Sequence, residues 1–163
     1  MRLLLLGIAL ALGTSGCSKK NSTDCKGNVY TYTFSANRQI RDTTVSNGIG
    51  MVPSLYQTTG TQLVFNYKNS QNPCNTIAPG YTQLIYFMID PSLSSFDYTD
   101  SSLQVTRCYV LVFGEVFRNT PAIIVKGEIK GNKVFADRWN ITVNVQTPFG
   151  DTVSFNKIFV YAP

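Results

Sequence analysis

Ser154-Phe155-Asn156-Lys157 sets a hydroxyl three residues before an amine, the spacing a Ser–Lys nucleophile and base would use on a helix, where i and i+3 share a face. The segment reads as a strand, and there those positions point to opposite sides. The dyad is therefore excluded. The chain has no histidine, which removes Ser-His-Asp and Cys-His catalysis together with the commonest zinc ligand. Among the acids, Glu115, Glu128 and Asp137 fall on neighbouring strand-like segments. A pair of carboxylates can hydrolyse a glycoside, one as acid and one as nucleophile or base. Nothing in the spacing fixes the separation that chemistry needs, so these acids are expected on the solvated surface. Asp90, Asp97 and Asp100 lie in a hydroxyl-rich stretch and offer oxygens to Ca²⁺, which takes six to eight. Their spacing lacks the central Gly and terminal Glu of an EF-hand, and a plain polar loop is the expectation. No metal or other cofactor is expected.

Ten Phe, nine Tyr and a single Trp raise the question of a sugar-stacking platform, with Trp139 the natural candidate. Alternation places Trp139 on one face with Phe135, Asp137, Ile141, Val143 and Val145, while Arg138, Asn140, Thr142 and Asn144 face the other way. Trp139 is thus expected in the core, with Asp137 at the rim or capping the indole N–H.

The elements that carry these residues are strands. Tyr30, Tyr32 and Phe34 alternate with Thr31, Thr33 and Ser35, and Leu63, Phe65 and Tyr67 with polar neighbours. YTQLIYFMI (81–89) and CYVLVF (108–113) are apolar on both faces, the mark of strands covered on both sides. Residues 122–146 read as a hairpin turning at Gly131-Asn132, and 152–161 form a last strand after a Pro-Phe-Gly-Asp turn. A short helical turn is expected within 90–102. No window shows a 3.6-residue apolar period. Seven to nine strands with frequent turns predict an all-β fold, an antiparallel β-sandwich of Ig-like topology, with the jelly roll as the alternative.

Net charge is +5 and spread along the chain, with no basic run longer than Lys19-Lys20. Nucleic-acid binders cluster such charge in a stripe, so nucleic acid is excluded as a partner. Met1-Arg2, the apolar run LLLLGIALAL (3–12) and the small residues GTSG before Cys17 make a signal peptide. A membrane span needs about 20 apolar residues, and this run is too short.

Cys17, preceded by Ser15-Gly16 and followed by SKKNS, resembles the lipobox of bacterial lipoproteins, with Thr14 where the motif usually has Leu. The stretch is similar to that of Bacteroidetes envelope lipoproteins. The resemblance covers the first two dozen residues and implies cleavage after Gly16 and lipidation of Cys17. It divides the chain into a signal peptide (1–16), a lipidated tether (17–26) and one β-sandwich domain (27–163). The partner is then a membrane, held through the acyl chains with Lys19, Lys20 and Lys26 near its head groups. Lysines rather than acids after the cysteine point to the periplasmic face of the outer membrane. With Cys17 lipidated, Cys25, Cys74 and Cys108 remain, and an oxidising envelope lets two of them pair. Cys25–Cys74 is favoured over Cys74–Cys108, because Cys108 sits in an apolar strand where a thiol behaves as a small buried hydrophobe. Asp42-Thr43-Thr44 and Asp151-Thr152-Val153 resemble the Bacteroidetes O-glycosylation motif, a three-residue signal. The sequons at Asn21 and Asn140 are not expected to be used in a bacterial lipoprotein.

The expected function is a non-enzymatic, membrane-anchored envelope protein that binds another envelope protein or a glycan, through loops at 69–80 and 90–102. A carboxylate-dependent glycan hydrolase and a purely structural stalk or assembly factor are the alternatives.

Overall fold

A computed structural model describes residues 27–46, 51–71, 80–114 and 120–163. The strands are β1 (Val29–Ser46), β2 (Met51–Thr59), β3 (Gln62–Gln71), β4 (Tyr81–Ile89), β5 (Ser95–Thr99), β6 (Tyr109–Phe113), β7 (Ala122–Ile123), β8 (Lys126–Phe135), β9 (Arg138–Gln146) and β10 (Thr152–Tyr161). A 3₁₀ helix, Asp100–Thr106, links β5 to β6. The protein is all-β, as its alternation predicts.

The strands join in one curled sheet of order β5-β8-β9-β10-β1-β3-β4-β6-β7, with β2 attached to β1. The two halves face each other over a shared core, so the sheet packs against itself as a sandwich. Phe65 on β3 meets Trp139 on β9 and Phe159 on β10 at ring distances of 5.6 and 5.7 Å, both edge to face. Phe87 on β4 meets Phe159 at 6.4 Å. Such edge-to-face pairs add to the stabilisation that burial of the rings already provides. Every ladder is antiparallel except the seam between the halves. There β1 and β10 run parallel and pair only at Thr33–Val160 and Phe34–Tyr161.

The long β1 changes partner partway. Residues 29–35 pair with β3, the register slips between Ser35 and Arg38, and residues 38–46 pair with β2. Asn37 takes a left-handed backbone (φ 55°) at the slip, a conformation Asn tolerates better than most residues. The bulge bends the strand, and the β1–β2 ribbon folds over the outer face of β3, β4 and β6. Ile40 from the ribbon packs there with Val64 and Tyr109, joined by Leu55, Tyr86 and Met88. The Ile40 N–H donates to the Met88 Sδ at 3.0 Å. This second cluster is why β4 and β6 are apolar on both faces: one side meets the main core, the other the ribbon.

Two sequence expectations need correction. The β8–β9 turn lies at Ala136-Asp137, and Gly131-Asn132 are inside β8. Gly131 is there because Phe96 of β5 lies over it. A Cβ at 131 would come within 2.4 Å of that ring and 2.7 Å of the Ile141 Cδ1. A register shift between Lys133 and Phe135 then turns Phe135 off the face of Trp139, and Phe135 is exposed. Trp139 itself is fully buried, as expected. Asp137 sits at the rim, 3.7 Å from the Arg138 Nε, and does not cap the indole, whose N–H has no partner.

Candidate functional site

At one end of the sandwich the inward-facing residues change character on three strands at once, and on a fourth a lysine interrupts an apolar series. On β1 the series runs from Phe34 back to Tyr32 and Tyr30, and on β3 from Phe65 to Tyr67 and Asn69. On β4 it runs from Ile85 back to Gln83, and on β10 Lys157 interrupts the apolar series Phe159, Phe155 and Val153. The antiparallel registers of β1, β3 and β4 bring the three changes to the same end, and the parallel seam brings Lys157 beside them. Because β1 and β10 pair over only two positions, the seam opens beyond Thr33 and Val160. A cleft of about 510 Å³ results, lined by these side chains with Thr152, Val153 and Ser154.

Its walls are rings. Tyr32 stands edge-on to Phe155 at 5.3 Å, Tyr67 stacks on Phe155 at 4.7 Å, and Tyr30 stacks on Tyr67 at 6.4 Å. Tyr30 is half exposed, whereas Tyr67 and Gln83 are buried at the floor. Burial is the main cause that pushes the Tyr67 hydroxyl up to about 12, helped by the neighbouring Tyr32, Tyr30 and Tyr81, and a hydrogen bond from Asn69 opposes it. Burial, then Tyr30, also raise Tyr32. Both phenols are therefore neutral at physiological pH, free to donate and accept hydrogen bonds. The Asn69 Oδ1 is buried with no partner. An acceptor left so costs roughly 1–3 kcal/mol.

Aromatic faces beside amide and hydroxyl groups fit a polyhydroxylated ring: C–H faces stack on the rings while hydroxyls reach the amides. No described lining residue is an aspartate or glutamate.

The sequence candidates fall elsewhere. Glu128 pairs with Lys130 at 2.9 Å, and Lys130 also reaches Asp97 at 3.3 Å. Asp90 accepts from the Ser92 backbone N–H and hydroxyl at 2.9 and 2.7 Å, which hold its carboxyl below the usual range. The Asp100 Oδ1 accepts from the Gly127 N–H at 2.9 Å. The three aspartates proposed for Ca²⁺ thus have separate partners, and no cluster suited to a metal occurs among the described residues. Their stretch is not one polar loop, since it contains β5 and the start of the 3₁₀ helix. Of the loops expected to bind, 69–80 meets the cleft through Asn69 alone among its described residues, and 90–102 contributes nothing to it. Cys17, Cys25, Cys74 and Glu115 lie outside the described residues. Cys108 is a buried free thiol.

Reading the sequence for loops and for Trp139 missed a site built on strands. The signal was present as the switch from Phe and Ile to Tyr, Asn and Gln along β1, β3 and β4, and as Lys157 within the apolar series of β10. No family model matches the chain, and neither a curated protein nor a solved structure matches it.

Proposed function

We propose that the protein is a membrane-anchored, non-enzymatic lipoprotein of the bacterial cell envelope that binds a glycan in the tyrosine-lined cleft. The observation that carries the glycan is the grouping of Tyr30, Tyr32, Tyr67 and Phe155 around the unpartnered Asn69 acceptor. Hydrolysis needs two carboxylates, and the described candidates stand elsewhere, Glu128 paired with Lys130 and Asp137 beside Arg138. The lipobox-like sequence at Cys17 supports the anchor, and the lysines behind it support the periplasmic side of the outer membrane. Tyr30 follows Cys17 by 13 residues, a span of at most about 45 Å when fully extended. An anchored protein would thus hold the cleft near the membrane surface.

Two experiments test this reading. Metabolic labelling with a fatty-acid analogue marks the wild type and not Cys17→Ala; equal labelling of both removes the anchor. On an oligosaccharide panel the mature chain retains at least one glycan, and Tyr32→Ala, folded by circular dichroism, loses it. Retention by both proteins alike removes the cleft.

A further inference from the structure

Lys157 occupies an anomalous position. On β10 the inward series is Val153, Phe155, Lys157 and Phe159, and Val153 and Phe159 are buried in the main core. The residue opposite Lys157 on β9 is the fully buried Ile141. A lysine in an inward series is tolerated because the seam has opened there, and its side chain enters the cleft instead of the core. It is the one charged group among the described lining residues. The ion pairs of the described residues, Lys130 with Asp97 and Glu128 and Arg138 with Asp137, do not include it.

We infer that the saccharide taken by this cleft is acidic, with a carboxylate or phosphate beside the sugar ring that the Lys157 ammonium holds. The inference rests on the glycan reading of the cleft and adds the charge of its ligand. Tyr30 and Tyr32 supply the ring faces, Asn69 and Gln83 the hydroxyl contacts, and Lys157 the selectivity. Lys157 is exposed on the cleft wall, so its ammonium is open to an arriving anion. Among the described lining residues no carboxylate stands to repel the anion.

Calorimetric titration of the mature chain uses three probes: an oligohexuronate, its carboxyl-reduced neutral counterpart, and a phosphorylated oligosaccharide. At least one acidic probe binds about tenfold or more tighter than the neutral one, the scale of one charge-assisted hydrogen bond, and the preference shrinks at high salt. Lys157→Met, which keeps the stem and removes the charge, binds neutral and acidic probes alike with an unchanged melting temperature, and Lys157→Arg restores the preference. Neutral and acidic probes binding the wild type equally would overturn the acidic ligand and leave the glycan reading standing. A preference that survives Lys157→Met would overturn the role of Lys157. No binding of any probe, with none on the wider panel, would overturn both readings.

Discussion

The rings of Tyr67 and Phe155 stack at 4.7 Å and 28° although their strands share no hydrogen bond, because β1 runs between β3 and β10 in the sheet. Side chains from the two sides of the seam therefore meet where the backbones have parted. That contact forms the floor of the cleft and joins the two halves of the sandwich near its open end.

Alkaline stability reports on this floor. The folded Tyr67 hydroxyl titrates near 12 and its ordinary value is 10.0, so the unfolded chain loses its proton first. The contribution is present in full below about pH 10 and is lost as pH rises from 10 towards 12. Urea midpoints measured across that range should fall less steeply for Tyr67→Phe than for wild type. Parallel declines would place Tyr67 in ordinary solvent.

Gly131 is predicted to tolerate no side chain. Alanine there drives a methyl into Phe96 and Ile141, and overpacking of this kind costs about 1–3 kcal/mol. Denaturant unfolding of Gly131→Ala should show a lower midpoint, partly recovered when Phe96→Leu is added. A neutral substitution would mean that the ring does not lie over the glycine.

Trp139 is the single tryptophan, fully buried among Phe65 and Phe96. Truncation to alanine should cost about 3–5 kcal/mol. Trp139→Phe should cost far less, because the indole N–H it removes has no partner to lose. Blue-shifted native fluorescence that moves red on unfolding checks the burial independently.

Cys108 is enclosed by the core, and burial pushes its thiol well above the ordinary range. Its thiolate, the reactive form, is thereby suppressed. Mass mapping after iodoacetamide treatment should find Cys108 unmodified in the native protein and modified in urea. Native modification at rates close to those in urea would contradict its burial.

How much of this was legible in the sequence depended on whether the interaction concerned was local. A run apolar on both faces marked 81–89, and the Pro-Phe-Gly-Asp turn set off 152–161, both with the boundaries observed, while alternation set Trp139 in the core. The far half of β1 and all of β2 were not legible. Their alternation is carried by Arg, Asp, Thr and Gln, and Pro53 sits where a strand seldom admits one. β5 is five residues long and largely polar, held by its ladder to β8. The parallel seam joins residues more than a hundred positions apart, and no local pattern encodes that pairing. The cleft depends on the seam, so its parts were visible as strand residues while their meeting was not. The turn at Gly131-Asn132 failed for a related reason: the ring that fills the glycine's place comes from another strand.

The most direct test of the account is a ¹H–¹⁵N NMR titration of the mature chain with a retained oligosaccharide, whose integrity is followed in the same tube. Chemical-shift changes are expected to centre on Tyr30, Tyr32, Asn69, Gln83 and Lys157, with the saccharide recovered uncleaved. Changes centred instead on Asp97, Glu128 and Lys130, or progressive cleavage of the saccharide, would contradict it.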